Sequence, residues 1–268
     1  MDGRDIRIDF RWAAGDIGLM KAYAAELAGL KPDVILVMSN PAMALVQQQT
    51  RSLPTVFVAV ADPVGSGFVQ SLARPGGNVT GFTNFESSMG GKWLEVLKEI
   101  APRVARVMVL LHPETRAHMS FWGAAEAAAP SFSVKLTMAG VHDAAEIERA
   151  AAAFAREPNG GMIVLPHTVT EVHRMTIIES AARYRLPAVY PFRHFAIEGG
   201  LISYGVDLID AFRGAATYVD RILRGAKPGE LPVQAANKFE LLINLKTARA
   251  LGIAVPPSLL ARTDEVIE

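Results

Sequence analysis

Six histidines are the first residues to weigh for chemistry, because imidazole is the commonest general base and metal ligand near neutral pH. They are His112, His118, His142, His167, His173 and His194. No two stand four apart with a glutamate between them, the arrangement that places two zinc ligands and a base on one helix face. His112 and His118 are six apart, as are His167 and His173, and that spacing matches no standard ligand pattern. The spacing therefore predicts no metal site. Cysteine is absent, which removes thiol nucleophiles, thiolate zinc sites and disulfides together. A serine hydrolase needs Gly-x-Ser-x-Gly at a strand-to-helix elbow, and neither Gly65-Ser66-Gly67 nor Ser87-Ser88-Met89-Gly90 supplies it. Gly65-Ser66-Gly67 also lacks the third glycine of a dinucleotide loop, and no P-loop occurs. Carboxylate pairs of the glycosidase kind are defined by spatial separation, so spacing leaves them open, but no carboxylate stands out. These residues predict neither an enzyme nor a bound cofactor.

The elements that must position such residues read as α/β. Half of the 268 residues are hydrophobic, and no low-complexity tract interrupts them. Twenty-seven basic residues offset 27 acidic ones, a balance that suggests no nucleic-acid or membrane-surface partner. No apolar run reaches the roughly 18 residues of a membrane-spanning helix. Five short, nearly continuous apolar runs dominate: Val34 to Met38, Thr55 to Val60, Val107 to Leu111, Met162 to Leu165 and Ala188 to Tyr190. Strands covered by helices on both faces read this way. Helical periodicity falls between and after them, over Ile17 to Gly29, Ala42 to Arg51, Gly91 to Ile100, Ala144 to Arg156, Val172 to Tyr184 and Leu208 to Leu223. The alternation predicts parallel sheets with right-handed crossovers. Pro75-Gly76-Gly77-Asn78, Pro158-Asn159-Gly160-Gly161 and Glu198-Gly199-Gly200 read as turns before strands rather than phosphate loops.

In open α/β sheets, ligands bind at the carboxyl ends of the strands. Those positions hold Ser39 and Asn40, Asp62, Phe85 and Glu86, His112 and Glu114, His167 and Thr168, Tyr190 and Phe192, and Tyr204 with Asp207. Aromatic walls with a few polar and charged groups are the composition of a small-molecule pocket. Ser39, Asn40 and Thr168 are equally good helix N-caps.

Longer motifs carry a family resemblance. Leu53-Pro54-Thr55-Val56-Phe57, Asp62-Pro63-Val64-x-Ser66-Gly67 and Ser71-Leu72-Ala73-Arg74-Pro75-Gly76-Gly77-Asn78-Val79-Thr80-Gly81 resemble the ABC-transporter substrate-binding proteins of the tryptophan/tyrosine type. So do Lys92-Trp93-Leu94-Glu95, Ala188-Val189-Tyr190, Ser203-Tyr204-Gly205-x-Asp207 and the run from Tyr218 to Pro228. The close, Asn244-Leu245-Lys246-Thr247-Ala248 to Pro256-Pro257-Ser258-Leu259-Leu260, is similar as well, so the resemblance covers the chain from about Arg7.

The resemblance implies a type I periplasmic-binding-protein fold: two Rossmann-like lobes with parallel sheets, joined by a hinge. Lobe one is expected over 1–85 plus 207–268, and lobe two over 86–206. The implied function is that of an importer's solute receptor, which closes over an amino acid or small aromatic acid and presents it to the membrane permease. A ligand-sensing module of a regulatory system is the alternative on the same fold. The site expected from strand ends and family position together is Ser39, Asn40, Asp62, Phe85, His112, His167, Tyr190, Phe192, Tyr204 and Asp207. His112 stands where relatives carry Asn-Pro, and His167 where an acid or amide is usual, which leaves the ligand's identity open. A periplasmic or lipid-anchored extracytoplasmic location is implied by the family, although Met1 to Asp5 do not read as a secretory signal.

One departure bears on lobe one. Relatives carry a strand and helix ahead of the segment equivalent to Asp2 to Ile6, and that unit is missing here. Residues Ile6 to Phe10 are expected as a strand, with the missing strand lying between it and Val34 to Met38. The gap predicts either lower stability than in full relatives or dimerisation through lobe one.

Overall fold

A computed structural model describes residues 6–268. The first lobe opens with α1 (Ile17–Gly29), β1 (Ile35–Met38), α2 (Asn40–Gln49), β2 (Thr55–Val60) and β3 (Val79–Thr83). The chain then crosses over to α3 (Met89–Ile100), β4 (Arg106–Leu111), α4 (Arg116–Ala128), β5 (Lys135–Gly140), α5 (Ala144–Phe154) and β6 (Gly160–Val164). The second lobe continues through α6 (Thr168–Val172), α7 (Arg174–Arg183), β7 (Ala188–Tyr190), α8 (Arg193–Ile197) and β8 (Ile202–Val206). Then α9 (Leu208–Leu223) and β9 (Gln234–Ala235) return to the first lobe, and β10 (Phe239–Asn244) and β11 (Glu265–Ile267) to the second. Sheet order is β1-β2-β3-β9 in one lobe and β11-β10-β8-β7-β6-β4-β5 in the other.

Burial explains why the central strands read so plainly. Every residue of β2 is buried. Phe57 and Val60 pack under α1 and α2 with Ala24, Met43 and Val46, while Val56 and Val58 meet Ala215, Tyr218 and Ile222 of α9 on the other face. A strand covered on both faces gains burial from every side chain, hence its unbroken apolar run. The second lobe has the larger core, with β4 to β8 at its centre.

Three expectations are corrected. Residues 6–12 form no strand; among the described residues β1 stands at the edge of its sheet and pairs only with β2, and Ile6, Ile8 and Phe10 are exposed. The closing segment does not return whole to lobe one. β10 pairs antiparallel with β8, from Phe239 opposite Val206 to Ile243 opposite Ile202, and buries Leu241 and Ile243 in the second core. That pairing also makes the second sheet mixed rather than wholly parallel. The helix expected over Val172 to Tyr184 is α7, with Val172 ending the short α6 ahead of it and His173 at the junction.

Three segments cross between the lobes: Asn84 to Ser88, Asp207, and Ala236 to Lys238. Asp207 ties two of them. Its Oδ2 accepts Lys238 Nζ at 2.7 Å, its N–H donates to the Lys238 carbonyl at 3.2 Å, and its Oδ1 caps α9 through the Ile209 and Asp210 N–H groups. Beside them, Phe85 packs edge-on against Trp93 and Phe121 and touches Phe192, while Trp93 Nε1 donates to the Tyr204 carbonyl at 2.8 Å. The hinge is thus an aromatic core with an ion pair at its rim.

Candidate functional site

The carboxyl ends of the two sheets face one cleft. On the first lobe, the backbone there is unusual. Ser39 has φ 84°, Ala59 φ 55° and Asp62 φ 42°, all in the left-handed region that non-glycine residues rarely adopt. Ala59 falls where the β2–β3 register shifts. Such strain persists only when the surroundings hold it, and it clusters at ligand clamps. Asn40 supplies part of that hold: its side chain donates to the Ala61 carbonyl at 2.7 Å and accepts the Ala61 N–H at 2.9 Å. Asp62 Oδ1 accepts the Gly65 N–H at 2.9 Å, and Oδ2 accepts the hydroxyl of Ser120, on α4 of the other lobe, at 3.2 Å.

On the second lobe, histidines dominate. The His167 and His112 rings stack with centroids 4.1 Å apart, and His118 stands edge-on to His167 at 5.6 Å. His118 Nδ1 lies 2.9 Å from the His112 N–H and 3.0 Å from the His112 carbonyl, and Nε2 lies 3.2 Å from the Pro166 carbonyl, so both ring nitrogens are engaged. Burial holds its pKa down at about 4. His167 Nδ1 accepts the Val169 N–H at 3.1 Å and caps α6, which leaves its ring proton on Nε2. Burial, together with the neighbouring His112 and His118, lowers its pKa to about 3. His112 is also lowered, by burial first, although Glu114 opposes the shift.

The lobes are close here. Besides the Asp62–Ser120 bond, Gly15 lies so near α6 that a Cβ on it would come within 2.6 Å of Val172 Cγ2. On α6, Glu171 Oε2 accepts His194 Nε2 at 2.7 Å, while its buried Oε1 has no partner among the described residues. At the hinge, a cavity of about 460 Å³ is lined by Thr83, Asn84, Glu86, Lys92, Tyr204 and Phe239. Tyr204 and Phe239 stack along it at 5.8 Å.

The ten expected site residues therefore divide. Ser39, Asp62, His112 and His167 stand at the facing ends of the sheets, and Tyr204 lines the hinge cavity. Asn40 is spent on the loop after β2. Phe85, Tyr190 and Phe192 are buried in the hinge and second core, Tyr190 stacked on Phe195 at 5.0 Å. Asp207 is committed to Lys238 and its helix cap. Position at a strand end was visible in the sequence for these five, but their burial and partners were not. Ser120, His118 and Glu171 were missed, since no motif marks them.

Two lobes closing over a cleft, hinged by three crossings and free of any nucleotide loop, define a ligand-binding module of the periplasmic-binding-protein type. The chain belongs to the family described as ABC transporter substrate binding protein, whose model matches residues 1–267. It is 26% identical over 253 residues to a tyrosine-binding protein of Clostridioides difficile, covering 94% of this chain and 72% of that one. Among solved structures, a conserved domain protein of Vibrio cholerae superposes with TM-score 0.93 at 29% identity, covering 99% of this chain and 88% of the other. An ABC domain from Streptococcus pneumoniae in complex with L-Trp superposes with TM-score 0.92 at 24% identity, over 98% and 88%. Among the described residues no helix is long and apolar enough to cross a membrane.

Proposed function

We propose that this chain is the solute receptor of an ABC importer, which takes an aromatic amino acid or small aromatic acid between its lobes and presents it to the permease. One observation carries the reading: the strained sheet end of the first lobe meets the second lobe across a three-segment hinge, with Asp62 of one lobe bonded to Ser120 of the other. A ligand touching both faces binds the closed arrangement better, and that differential affinity is what drives closure. The tyrosine-binding relative and the tryptophan complex support an aromatic amino acid.

Ser39, Asp62, His112 and His167 are assigned to the ligand. His167 Nε2–H suits a carboxylate oxygen, and the unpaired Glu171 Oε1 suits an ammonium group. The regulatory alternative uses the same lobes, and nothing particular to this site favours it. The setting is periplasmic or lipid-anchored and extracytoplasmic, as befits a partner of a permease. Among the described residues the outer edge of β1 has no partner strand, and Leu36 and Met38 are exposed there, which supports self-association through lobe one; sedimentation of the wild type against Leu36→Lys tests it.

A thermal-shift screen against amino acids and aromatic acids tests the receptor reading. A ligand at ~100 times its Kd adds about 2.7 kcal/mol of stability, a plainly visible shift. Absence of a shift with every compound would count against it.

A further inference from the structure

The parallel pairing of β4 with β5 sets Leu111 opposite Gly140, so the loops leaving their carboxyl ends run side by side. His112 and Glu114 lie on one loop and His142 on the other. Glu114 Oε2 is 3.2 Å from His112 Nδ1, and Glu114 Oε1 is 3.0 Å from His142 Nε2. One donor atom from each of the three residues falls within 4.8 Å of the others. Ligand atoms around a zinc ion, each about 2.0–2.2 Å from the metal, stand roughly 3.3–3.5 Å apart in tetrahedral geometry. The two Glu114 contacts are already near that spacing, and the remaining separation, at most 4.8 Å, closes by side-chain rotation of roughly an ångström.

The surroundings are also those of a metal site. His142 Nδ1 lies 2.9 Å from Glu146 Oε2, and the same oxygen accepts the His142 N–H at 2.8 Å. This outer carboxylate fixes the proton on Nδ1 and aims Nε2 at Glu114, as carboxylate–histidine–metal arrangements do. His112 is held in place by its stack on His167. With both ring nitrogens of His142 facing carboxylates, the group at Nε2 must be positive: a proton, or a cation in its place.

We propose that His112, Glu114 and His142 bind a divalent transition-metal cation, zinc above the harder ions, with Glu146 as the outer partner. Two imidazoles and a carboxylate select zinc, cobalt, nickel or copper over magnesium and calcium. Binding displaces the Nε2 proton of His142 to solvent while Nδ1–H stays donated to Glu146. The fourth position is open to water. Glu114 and His142 are exposed, so the ion has a path in. The site is separate from the groups assigned above to the amino acid, His112 excepted.

Zinc chloride titrated calorimetrically into the metal-free chain near neutral pH, in two buffers of different ionisation heat, tests this. Cobalt(II) absorption reports the coordination independently. The expected result is one equivalent bound with proton release and visible cobalt bands bleached by zinc. His142→Ala and Glu114→Gln should each weaken binding by more than about tenfold, and Glu146→Gln by roughly tenfold, the effect of losing an outer partner. His173→Ala, at the α6–α7 junction outside the cluster, should change nothing. No saturable binding up to about 1 mM zinc, a limit near −4 kcal/mol, would overturn the proposal. So would affinity and cobalt spectrum unchanged in His142→Ala and Glu114→Gln. Circular dichroism confirms that these exposed-site variants remain folded.

Discussion

Asp62 Oδ2 accepts the Ser120 hydroxyl at 3.2 Å, and this single hydrogen bond joins the loop after β2 in one lobe to α4 in the other. Because it exists only when the lobes are together, its loss acts on closure rather than on either fold. A hydrogen bond of this kind is worth about 0.5–1.5 kcal/mol, which is roughly a two- to tenfold change in an equilibrium. Ser120→Ala should therefore shift the ligand-free chain toward open forms and weaken ligand by a similar factor, since only the competent fraction binds. Small-angle scattering should report a larger radius of gyration. A scattering profile and affinity both unchanged would remove this contact from the closing mechanism.

Adjacent glycines on α3 should respond with opposite sign. A Cβ at Gly90 would overlap the Phe121 carbonyl oxygen of α4, whereas one at Gly91 would meet Ala128 Cβ at an ordinary 3.5 Å. Gly90→Ala should cost about 1–3 kcal/mol or more, because backbone cannot step aside as a side chain can. Gly91→Ala should gain up to about 0.5–1 kcal/mol of helix propensity. Urea unfolding of both variants checks the pair; equal effects would mean that the α3–α4 approach is looser than described.

Asp207 illustrates what sequence can and cannot convey. Its strand-end position was legible, but its role as the cap of α9 was not; α1 and α9 run over the expected residues, with Asp16 and Asp207 capping their starts. Its partner Lys238 lies 31 residues away and carries no signal of its own. The same holds for Phe85, Tyr190 and Phe192, whose strand-end positions suggested a pocket wall while packing placed them in the core. β5 escaped notice because its residues are largely exposed and form no apolar run. The histidine cluster is assembled by strand pairing across loops, so no spacing rule could reveal it.

From that pairing, Asp207→Ala should cost about 1–2 kcal/mol for the lost cap, and Asp207→Asn less, since asparagine also caps. Lys238 is the main cause holding the Asp207 pKa below the usual carboxylate range. A carboxylate with a depressed folded pKa contributes stability above its unfolded pKa and loses it as pH falls through the folded one. The wild type and Asp207→Asn should accordingly differ at neutral pH and converge in strong acid. A constant difference across that range would deny the ion pair its role.

Acid should also act through His118 and His167, whose folded pKa values lie at about 4 and about 3. Between those values and the unfolded value near 6.5, the unfolded chain binds more protons, so stability falls as pH falls. Each histidine should cost on the order of 1–2 kcal/mol between pH 7 and 5. Glu114 and Glu146 raise the pKa of His142, which titrates with the opposite sign, so the comparison belongs in a His142→Ala background with chelator. His167→Gln should flatten the profile measured by thermal melts. A slope unaffected by that change would mean that the ring is not held neutral.

Calorimetric titration of the chain with L-tryptophan and L-tyrosine, beside an Asp62→Ala, His167→Ala double variant, tests the central claim most directly. The receptor account predicts saturable one-to-one binding of at least one of them, lost or weakened by more than about tenfold in the double variant. No heat beyond dilution with either amino acid, or equal binding by the double variant, would contradict it.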